Sequence, residues 1–246
     1  MKVAPGKMRI KRLAWDSAFF GIPVGSVELP SGDVSVADVG EMLSRSKFKL
    51  TYVFLPLSAD GEMDNESLKS VLAGLGGLKV DTKITYWKSL VRVPTQPVSD
   101  VVSATRIVPN METLACSSGW CSRFKVDKQL SRFLEPMYKV WLKRDFERGK
   151  VFVCPSCDMP YGLVTASVCE KSGRLGLVAV DEGHRREGLG KKLITQAESW
   201  LARNGSTSCE VVTQAANIGG VQFYEKMGFV VKSRVEVWHI WSKTRL

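Results

Sequence analysis

The chain has 246 residues, of which 44% are hydrophobic and 24% charged, a composition typical of a folded globular protein with one large domain or two small ones. No apolar run reaches the roughly 18 residues of a membrane span, and the basic start MKVAPGKMRIKRLAW lacks the apolar core of a signal peptide, so a cytoplasmic protein without a membrane partner is expected. The net charge is +10, with +2 in residues 1–100 and +8 in residues 101–246, which favours an anionic ligand such as a nucleotide or coenzyme.

The first hundred residues predict a small α/β domain. The segments GSVEL, LTYVFLPL and ITYWKSLVRV have the pattern of strands, and residues 36–47 and 65–75 that of helices. At VRVPTQPVSD (91–100), two prolines and several polar residues interrupt the strand pattern. We therefore predict an N-terminal domain of residues 1–100 and a C-terminal domain of residues 101–246.

The second part predicts alternating strands and helices. ATRIVP (104–109) is predicted as a strand, and a short helix follows at 110–117. Apolar residues at spacings of three and four predict an amphipathic helix over 129–146. KVFVC and YGLVTASV form a predicted hairpin around CPSC, before a buried strand, RLGLVAV. The remaining predicted elements are a helix at 188–203, a strand at 209–213, a helix at 219–227 that ends at Gly228, and a strand at 235–241.

The six cysteines do not predict a metal centre. Cys154 and Cys157 in CPSC have the spacing of half a zinc site, but Cys116 and Cys121 make a poor second half and the chain has two histidines. We expect reduced thiols and no metal. Cys209 lies in an apolar strand without a histidine partner in the sequence, so it is not predicted to be a nucleophile.

The segment VDEGHRREGLGKKLI (180–194) joins a predicted strand to a predicted helix. Free backbone N–H groups at the start of a helix suit an anion. Gly188 and Gly190 leave room for a phosphate to approach the backbone, and Arg185 and Arg186 add positive charge. This junction is therefore a predicted anion site.

Two familiar phosphate motifs are excluded here. Gly183 and Gly188 have the spacing of a Walker loop, but Leu189 stands where that loop requires lysine. The dinucleotide fingerprint fails because Leu193 follows Gly190 where a third glycine is required. The remaining pattern is R-x-x-G-x-G.

This pattern, the strand LVAV and the helix KKLITQAESWLARNG resemble the acetyl-CoA-binding segment of the GNAT acetyltransferase superfamily, whose motif is [QR]-x-x-G-x-[GA]. NIGGVQFYEKMGFV (217–230) is similar to a later segment of that superfamily. The resemblance implies a GNAT-type mixed sheet with flanking helices in the C-terminal domain, after a smaller α/β domain. It implies acetyl-CoA as co-substrate, bound by Leu177, Val178, Ala179, Val180, Arg185, Arg186, Glu187, Gly188, Leu189, Gly190, Lys191, Asn217 and Tyr224.

The resemblance also implies that Tyr224 and Asn217 are catalytic. A phenol with a pKa near 10 is a suitable proton donor to a thiolate of similar basicity. Tyr224 could instead be a core aromatic, but we expect Phe223 to fill the core position. Many relatives carry a glutamate on the strand RLGLVAV, which has none here. Removal of the amine proton therefore stays open between water, backbone carbonyls, an amine that binds already neutral, His239 and Glu210.

LAWDSAFFGIPVGSVEL (13–29) and CSRFKVD (121–127) resemble segments of the dTDP-fucosamine acetyltransferase subgroup. The resemblance implies direct acetylation of the amino group of a nucleotide-linked sugar of the dTDP-4-amino-4,6-dideoxyhexose type. Arg123 would then pair with the diphosphate, and Phe124 would stack on a base or sugar. The aromatic residues of 13–29 are interpreted as a hydrophobic plug between the two domains.

Other functions stay open. A GNAT enzyme could act on a protein lysine, a protein N-terminus or another small amine, although the +8 charge disfavours a basic peptide. A coenzyme A-binding module without catalysis is a further alternative. Nucleic acid is not expected as a partner, because the aromatic residues follow apolar patterns. A homodimer is expected from the resemblance alone, with an acceptor-side or dimer role for the N-terminal domain.

Overall fold

The computed structural model describes residues 8–30, 34–57, 66–91 and 97–242. The chain divides into two compact units: the first contains residues 1–84 and 233–246, and the second contains residues 85–232. The predicted domain division at residue 100 rests partly on residues 92–96, which lie outside the described residues. That division therefore stays a prediction.

The described residues form ten strands and eight α-helices. In chain order these are β1 (Lys11–Arg12), α1 (Ala14–Phe20), β2 (Val24–Glu28), α2 (Val36–Ser44), β3 (Leu50–Leu57), α3 (Glu66–Gly74), β4 (Leu78–Ser89), β5 (Val102–Ser103), α4 (Pro109–Ser118), α5 (Arg123–Val126), α6 (Leu134–Arg148), β6 (Lys150–Cys154), β7 (Gly162–Cys169), β8 (Ser172–Val180), α7 (Leu189–Arg203), β9 (Ser208–Gln214), α8 (Ile218–Lys226) and β10 (Val230–Trp241). The predicted mixed α/β class is confirmed.

The first unit has a mixed sheet with its helices packed on an apolar core. β1 pairs antiparallel with β2, β2 runs parallel to β3, and β3 pairs antiparallel with β10. The strands contribute Val53 and Trp238 to the core, and the helices contribute Val39 and Leu72, all buried. Burial of these side chains is the main term that stabilises the unit.

The second unit is a sheet between two layers of helices. β5, β6, β7 and β8 pair antiparallel in succession, and β8 runs parallel to β9. On one face, Met111 of α4 and Leu142 of α6 pack against Leu163 and Leu177 of the sheet. On the other face, Trp200 of α7 meets a phenylalanine ring of β6 at 6.3 Å. Parallel β8 and β9 are connected through α7, as a crossover requires.

A buried ion pair joins the end of β4 to α7 within the second unit. The ammonium of Lys88 lies 2.7 and 2.9 Å from the two carboxylate oxygens of Glu198, whose residue is 3% exposed. The same ammonium lies 5.3 Å from the ring centre of Phe229. Burial raises the pKa of Glu198, and Lys88 opposes this shift.

Two predicted elements differ from the structure because of prolines. The predicted strand 104–109 is wrong: only β5 pairs with β6, and Pro109 begins α4 immediately afterwards. The predicted helix 129–146 begins as an α-helix only at Leu134, after a 3-10 turn at Ser131–Phe133. Pro136 lies in the first turn of α6, where its missing N–H does no harm, and so marks the beginning of that helix.

None of the helices in the described ranges is both long enough and apolar enough to cross a lipid bilayer. In those same ranges, no three side chains of the His, Cys, Asp or Glu type lie together in a group that could hold a metal ion. All six cysteines are free thiols. Burial raises the pKa of Cys154 to about 11 and that of Cys209 to about 12, so both thiols are protonated and unreactive at neutral pH.

Candidate active site

A gap opens between the parallel strands β8 and β9. Their pairing runs from Ser172 opposite Ser208 to Leu175 opposite Val211 and ends there. β8 nevertheless continues to Val180, and β9 also runs on. Among the described residues, this part of β8 has no strand partner on the side of the gap, and such an edge can pair with an extended ligand.

A β-bulge lies where the gap begins. Thr165 of β7 faces two residues of β8, Gly176 and Leu177, because the register shifts at this point. Gly173, before the bulge, lies under a leucine of α7. Leu177 and Ala179, after the bulge, lie in the core cluster on the opposite face of the sheet. The odd-numbered residues of β8 therefore face one side of the sheet before the bulge and the other side after it.

The bulge also decides which backbone groups face the gap. The Leu177 N–H donates to the hydroxyl of Thr165 at 2.9 Å, and the Asp181 N–H donates to the carbonyl of the residue before β7 at 2.7 Å. Both bonds lie on the β7 side. Alternate residues of a strand direct their N–H and C=O groups to opposite edges. Val178 and Val180 therefore direct theirs toward the gap.

The turn after β8 is held by one carboxylate. Asp181 accepts a hydrogen bond from the Gly183 N–H at 3.1 Å and lies 3.0 Å from Nδ1 of His184. The hydrogen bond from His184 is the main reason that the pKa of Asp181 is lowered. The His184 ring stacks on Tyr161 at 3.7 Å with an interplanar angle of 5°. Sequence reasoning missed this stack, for which no local pattern exists.

The turn leads directly into α7 through two residues with left-handed backbone. Arg186 has φ of 70° and Gly188 has φ of 81°. The first helical bond runs from the Lys192 N–H to the Gly188 carbonyl at 3.1 Å. The amides of residues 189–191 therefore precede the helical bonding pattern and can bind an anion. No atom lies within 4 Å of the space where a Cβ of Gly188 would stand.

Positive charge surrounds this helix start. The side chains of Arg185, Arg186 and Lys191 are exposed, as is that of Glu187. Arg185 donates from Nε to the Val180 carbonyl at 3.3 Å, which holds its guanidinium beside the gap. Residues 181–192 carry four cations against three carboxylates, a net charge of +1, and two of the cations, Lys191 and Lys192, lie in the first turn of the helix.

The two segments singled out in the sequence meet at Gly190. A Cβ at Gly190 would lie 3.3 Å from two ring atoms of Phe223, so α8 packs against the first turn of α7. The expectation that Phe223 fills the core position is wrong. Phe223 is only partly buried and lies against Gly190, and the buried aromatic is Tyr224.

Tyr224 lies next to the same contact. It is 6% exposed, and the rings of Tyr86 and Phe229 each lie 5.8 Å from its own. Burial raises the pKa of Tyr224 above the ordinary range of a tyrosine. Within the described residues, no hydrogen-bond partner of its hydroxyl is found. The structure therefore contains a protonated phenol with unused hydrogen-bonding capacity, on the residue next to the Phe223 that contacts the helix start.

Asn217 connects β9 to α8. Its Oδ1 accepts from the Gly220 N–H at 3.1 Å, as the cap of α8, and its Nδ2 donates to the hydroxyl of Thr213 at 3.1 Å. These bonds fix the start of the helix that carries Tyr224. A contact of Asn217 with a coenzyme stays a prediction.

The two candidate bases occupy structural positions. Glu210 is ion-paired with Lys232. His239 is fully buried in the first unit, where its ring stacks on Tyr52 at 4.7 Å. These contacts argue against either residue as the general base.

The predicted acceptor residues differ in accessibility. Arg123 begins α5 and is partly exposed, with its guanidinium carbon 4.7 Å from the ring centre of Phe124. Phe124 is 3% exposed and meets Trp141 edge-on at 5.9 Å. Its ring is covered by protein, which argues against the predicted stacking on a ligand. Arg123 alone keeps the acceptor role as a prediction.

Residues 120–229 match the sequence profile of the acetyltransferase (GNAT) family. An uncharacterized N-acetyltransferase of Methanocaldococcus jannaschii is 31% identical over 108 residues, which cover 41% of this chain and 47% of that protein. The chain thus spans about half the length of this curated relative.

Solved structures are similar at lower identity. A conserved protein of unknown function from Staphylococcus epidermidis has a TM-score of 0.61 at 11% identity, over 98% of this chain and 94% of that one. A GCN5-related N-acetyltransferase from Sphaerobacter thermophilus has a TM-score of 0.51 at 15% identity, over 80% of this chain and 62% of that one. These likenesses confirm the predicted GNAT-type fold.

Proposed function

We propose that the chain is an acetyl-CoA-dependent N-acetyltransferase, because residues 120–229 match the profile of the acetyltransferase (GNAT) family. The observation that carries the proposal is the gap between β8 and β9, with the backbone of Val178 and Val180 facing it. The gap ends at a positively charged helix start. An extended, anionic molecule fits this combination of an unpaired strand edge and free amides.

Different residues of this chain bind different parts of acetyl-CoA. Val178 and Val180 pair with its pantetheine arm, and the amides of residues 189–191 bind its pyrophosphate. Arg185 and Arg186 add charge-assisted bonds. When bound, acetyl-CoA supplies the acetyl group as a thioester.

The proposed chemistry is direct transfer to a neutral amine. Tyr224 holds its proton throughout the neutral range, because burial raises its pKa, and it can donate this proton to a departing thiolate. A covalent route through Cys209 is disfavoured, since burial raises the pKa of that thiol to about 12. The residue that removes the proton from the amine is not assigned.

For the acceptor we propose a nucleotide-linked amino-deoxy sugar, of the kind used by the dTDP-fucosamine acetyltransferase subgroup. The support is the resemblance of residues 13–29 and 121–127 and the partly exposed cation of Arg123, which can pair with a diphosphate. An acceptor-side or dimer role of residues 1–100, a homodimer and a cytoplasmic location stay predictions.

The proposal is tested with a thiol-release assay on the full chain. Acetyl-CoA is offered with nucleotide-linked 4-amino and 3-amino sugars, and a lysine peptide is assayed beside them. Turnover of a nucleotide amino sugar supports the proposal. Turnover of the peptide alone overturns the acceptor but keeps the acetyltransferase, whereas an absence of acetyl-CoA binding overturns both.

Replacing Gly188 by alanine is expected to weaken acetyl-CoA binding about 10-fold. A non-glycine residue in the left-handed region costs about 1–2 kcal/mol, and relaxation of the turn would move the amides that precede Lys192. The dissociation constant is measured by calorimetry. Gly219→Ala is the matched control, since no atom lies within 4 Å of its Cβ position and its φ is not left-handed. Equal affinities for both variants would contradict the role of Gly188.

Replacing Arg123 by alanine is expected to raise the acceptor KM about 10-fold or more. A charge-assisted bond to a phosphate contributes roughly 1.5–3 kcal/mol. The KM for acetyl-CoA should stay the same, because the coenzyme contacts proposed above lie on other elements. Lys128→Ala, at an exposed position nearby in the chain, is the control. An unchanged acceptor KM removes Arg123 from the acceptor site.

A further inference from the structure

The bulge in β8 is supported by a chain of side-chain hydrogen bonds. The Thr165 hydroxyl accepts from the Leu177 N–H at 2.9 Å and donates to Oδ2 of Asp145 at 2.7 Å. The guanidinium of Arg144 donates to Oδ1 of the same carboxylate at 3.0 and 2.8 Å. Thr165 is 1% exposed, and the side chain of Asp145 is 17% exposed. One partly buried carboxylate thus fixes a fully buried hydroxyl on the strand.

The packing of these hydrogen-bonded side chains depends on the glycine at the bulge. A Cβ at Gly176 would lie 2.5 Å from the Thr165 hydroxyl oxygen and 2.8 Å from a carboxylate oxygen of Asp145. Both distances are shorter than a real Cβ contact. The hydroxyl and the carboxylate therefore occupy the space that a side chain at position 176 would take, and they hold the extra residue of β8 in one place.

The position of the bulge determines which backbone groups of β8 face the gap. If the bulge moved along the strand, the residues between its old and new positions would change sides. Their backbone N–H and C=O groups would then point to the opposite edge of the strand. The bond to Thr165 commits the Leu177 N–H to the β7 side. Val178 and Val180 are thereby committed to the gap. Without the hydroxyl, the buried N–H of Leu177 would lose its partner, which favours another register.

We propose that Thr165 and Asp145 are positioning residues for acetyl transfer. They fix the register of the bulge, so that the backbone of β8 faces the coenzyme and holds the thioester at the reacting point. This proposal rests on the proposed acetyltransferase function. Both residues act through the Leu177 amide and do not touch the reacting atoms.

Thr165→Val keeps the shape of the side chain and removes the hydroxyl. Its kcat/KM for acetyl-CoA is expected to fall by about 10-fold to 100-fold, since a shift of about 1 Å in a reacting group has an effect of this size. Thr165→Ser should restore kcat/KM to within about threefold of wild type, because the hydroxyl alone is required. Asp145→Asn should give an intermediate loss, since its amide can still accept the bond from Thr165.

Thr51→Val is the matched control. Thr51 is a 1% exposed strand threonine of the first unit whose hydroxyl is bonded to Ser46 at 3.0 Å. Both valine variants should lower Tm to a similar degree, but only Thr165→Val should lower kcat/KM. An equal kcat/KM for the two valine variants overturns the proposal. If Thr165→Val does not fold, Asp145→Asn with wild-type kcat/KM overturns it instead.

Amide exchange separates this proposal from the proposed function. The Leu177 amide of the free protein should exchange slowly in wild type and Thr165→Ser, and at least about 10-fold faster in Thr165→Val. Slow exchange in all three overturns the proposal, whatever the activity. Fast exchange in Thr165→Val together with an inactive wild type supports the fixed register and overturns the acetyltransferase instead.

Discussion

Tyr224→Phe is expected to lower kcat by about 100-fold or more and to leave the KM for acetyl-CoA nearly unchanged. General acid catalysis typically contributes 10²–10⁴-fold, and phenylalanine removes the proton donor while it keeps the ring. The ring should keep its packing against Tyr86 and Phe229, which lie 5.8 Å away. Steady-state kinetics of thiol release measure the effect.

Tyr138→Phe is the control for this substitution. Tyr138 belongs to the same unit and is 5% exposed, close to the 6% of Tyr224, but it lies on α6 in the core. Its kcat is expected to stay within about twofold of wild type. If Tyr224→Phe behaves in the same way, Tyr224 is a core aromatic and not the acid.

The pH dependence follows from the direction of the pKa shift. Burial raises the pKa of Tyr224 above that of an unfolded tyrosine, which is about 10. A raised pKa keeps the phenol protonated, so its contribution to activity and stability is complete below about pH 10 and is lost only as pH rises through the folded pKa. Titration of Tyr224 should therefore not lower kcat between pH 7 and 9.

Lys88→Met is expected to lower the free energy of unfolding by about 3–5 kcal/mol. The substitution leaves the carboxylate of Glu198, a 3% exposed residue, without its cation, and uncompensated buried charges have costs of this size. Urea unfolding measures the loss. The double variant Lys88→Met/Glu198→Met should recover most of it, because it removes both charges.

Lys143→Met is the control, because it removes the cation of an exposed ion pair. Its pair with Glu147 is 4.0 Å long, and both side chains are more than half exposed. Exposed pairs contribute about 0–1 kcal/mol, so stability should hardly change. A comparable loss in both variants would mean that the Lys88 pair contributes no more than a surface pair.

The effect of Lys88→Met should also depend on pH. Burial already raises the pKa of Glu198, and loss of the ammonium raises it further. A carboxyl with a raised folded pKa is most stable in the protonated form, so its favourable contribution is complete below the unfolded pKa and is lost as pH rises through the folded pKa. The defect should therefore be smaller near pH 4 than at pH 7.

Most of the proposed coenzyme-binding segment is local in sequence. A strand, a turn with Gly188 and a helix start lie within about fifteen consecutive residues. Their chemistry depends on backbone dihedral angles and on amides at a helix end, which neighbouring residues determine. The sequence by itself was therefore sufficient to predict the mixed α/β class, and it located the strand, turn and helix start of the proposed anion site.

Only the tertiary structure decided which side chains are buried and which backbone edge faces the gap. Tyr224 is buried against the rings of Tyr86 and Phe229, and Phe223 lies partly exposed against Gly190 of another helix. Phe124 is covered by Trp141 of α6. Lys88 and Glu198 are separated by 110 positions in the chain, and no periodicity links residues at that distance. The bulge at Gly176 depends on strand register, which is fixed by pairing across the sheet and by the side chains that support it.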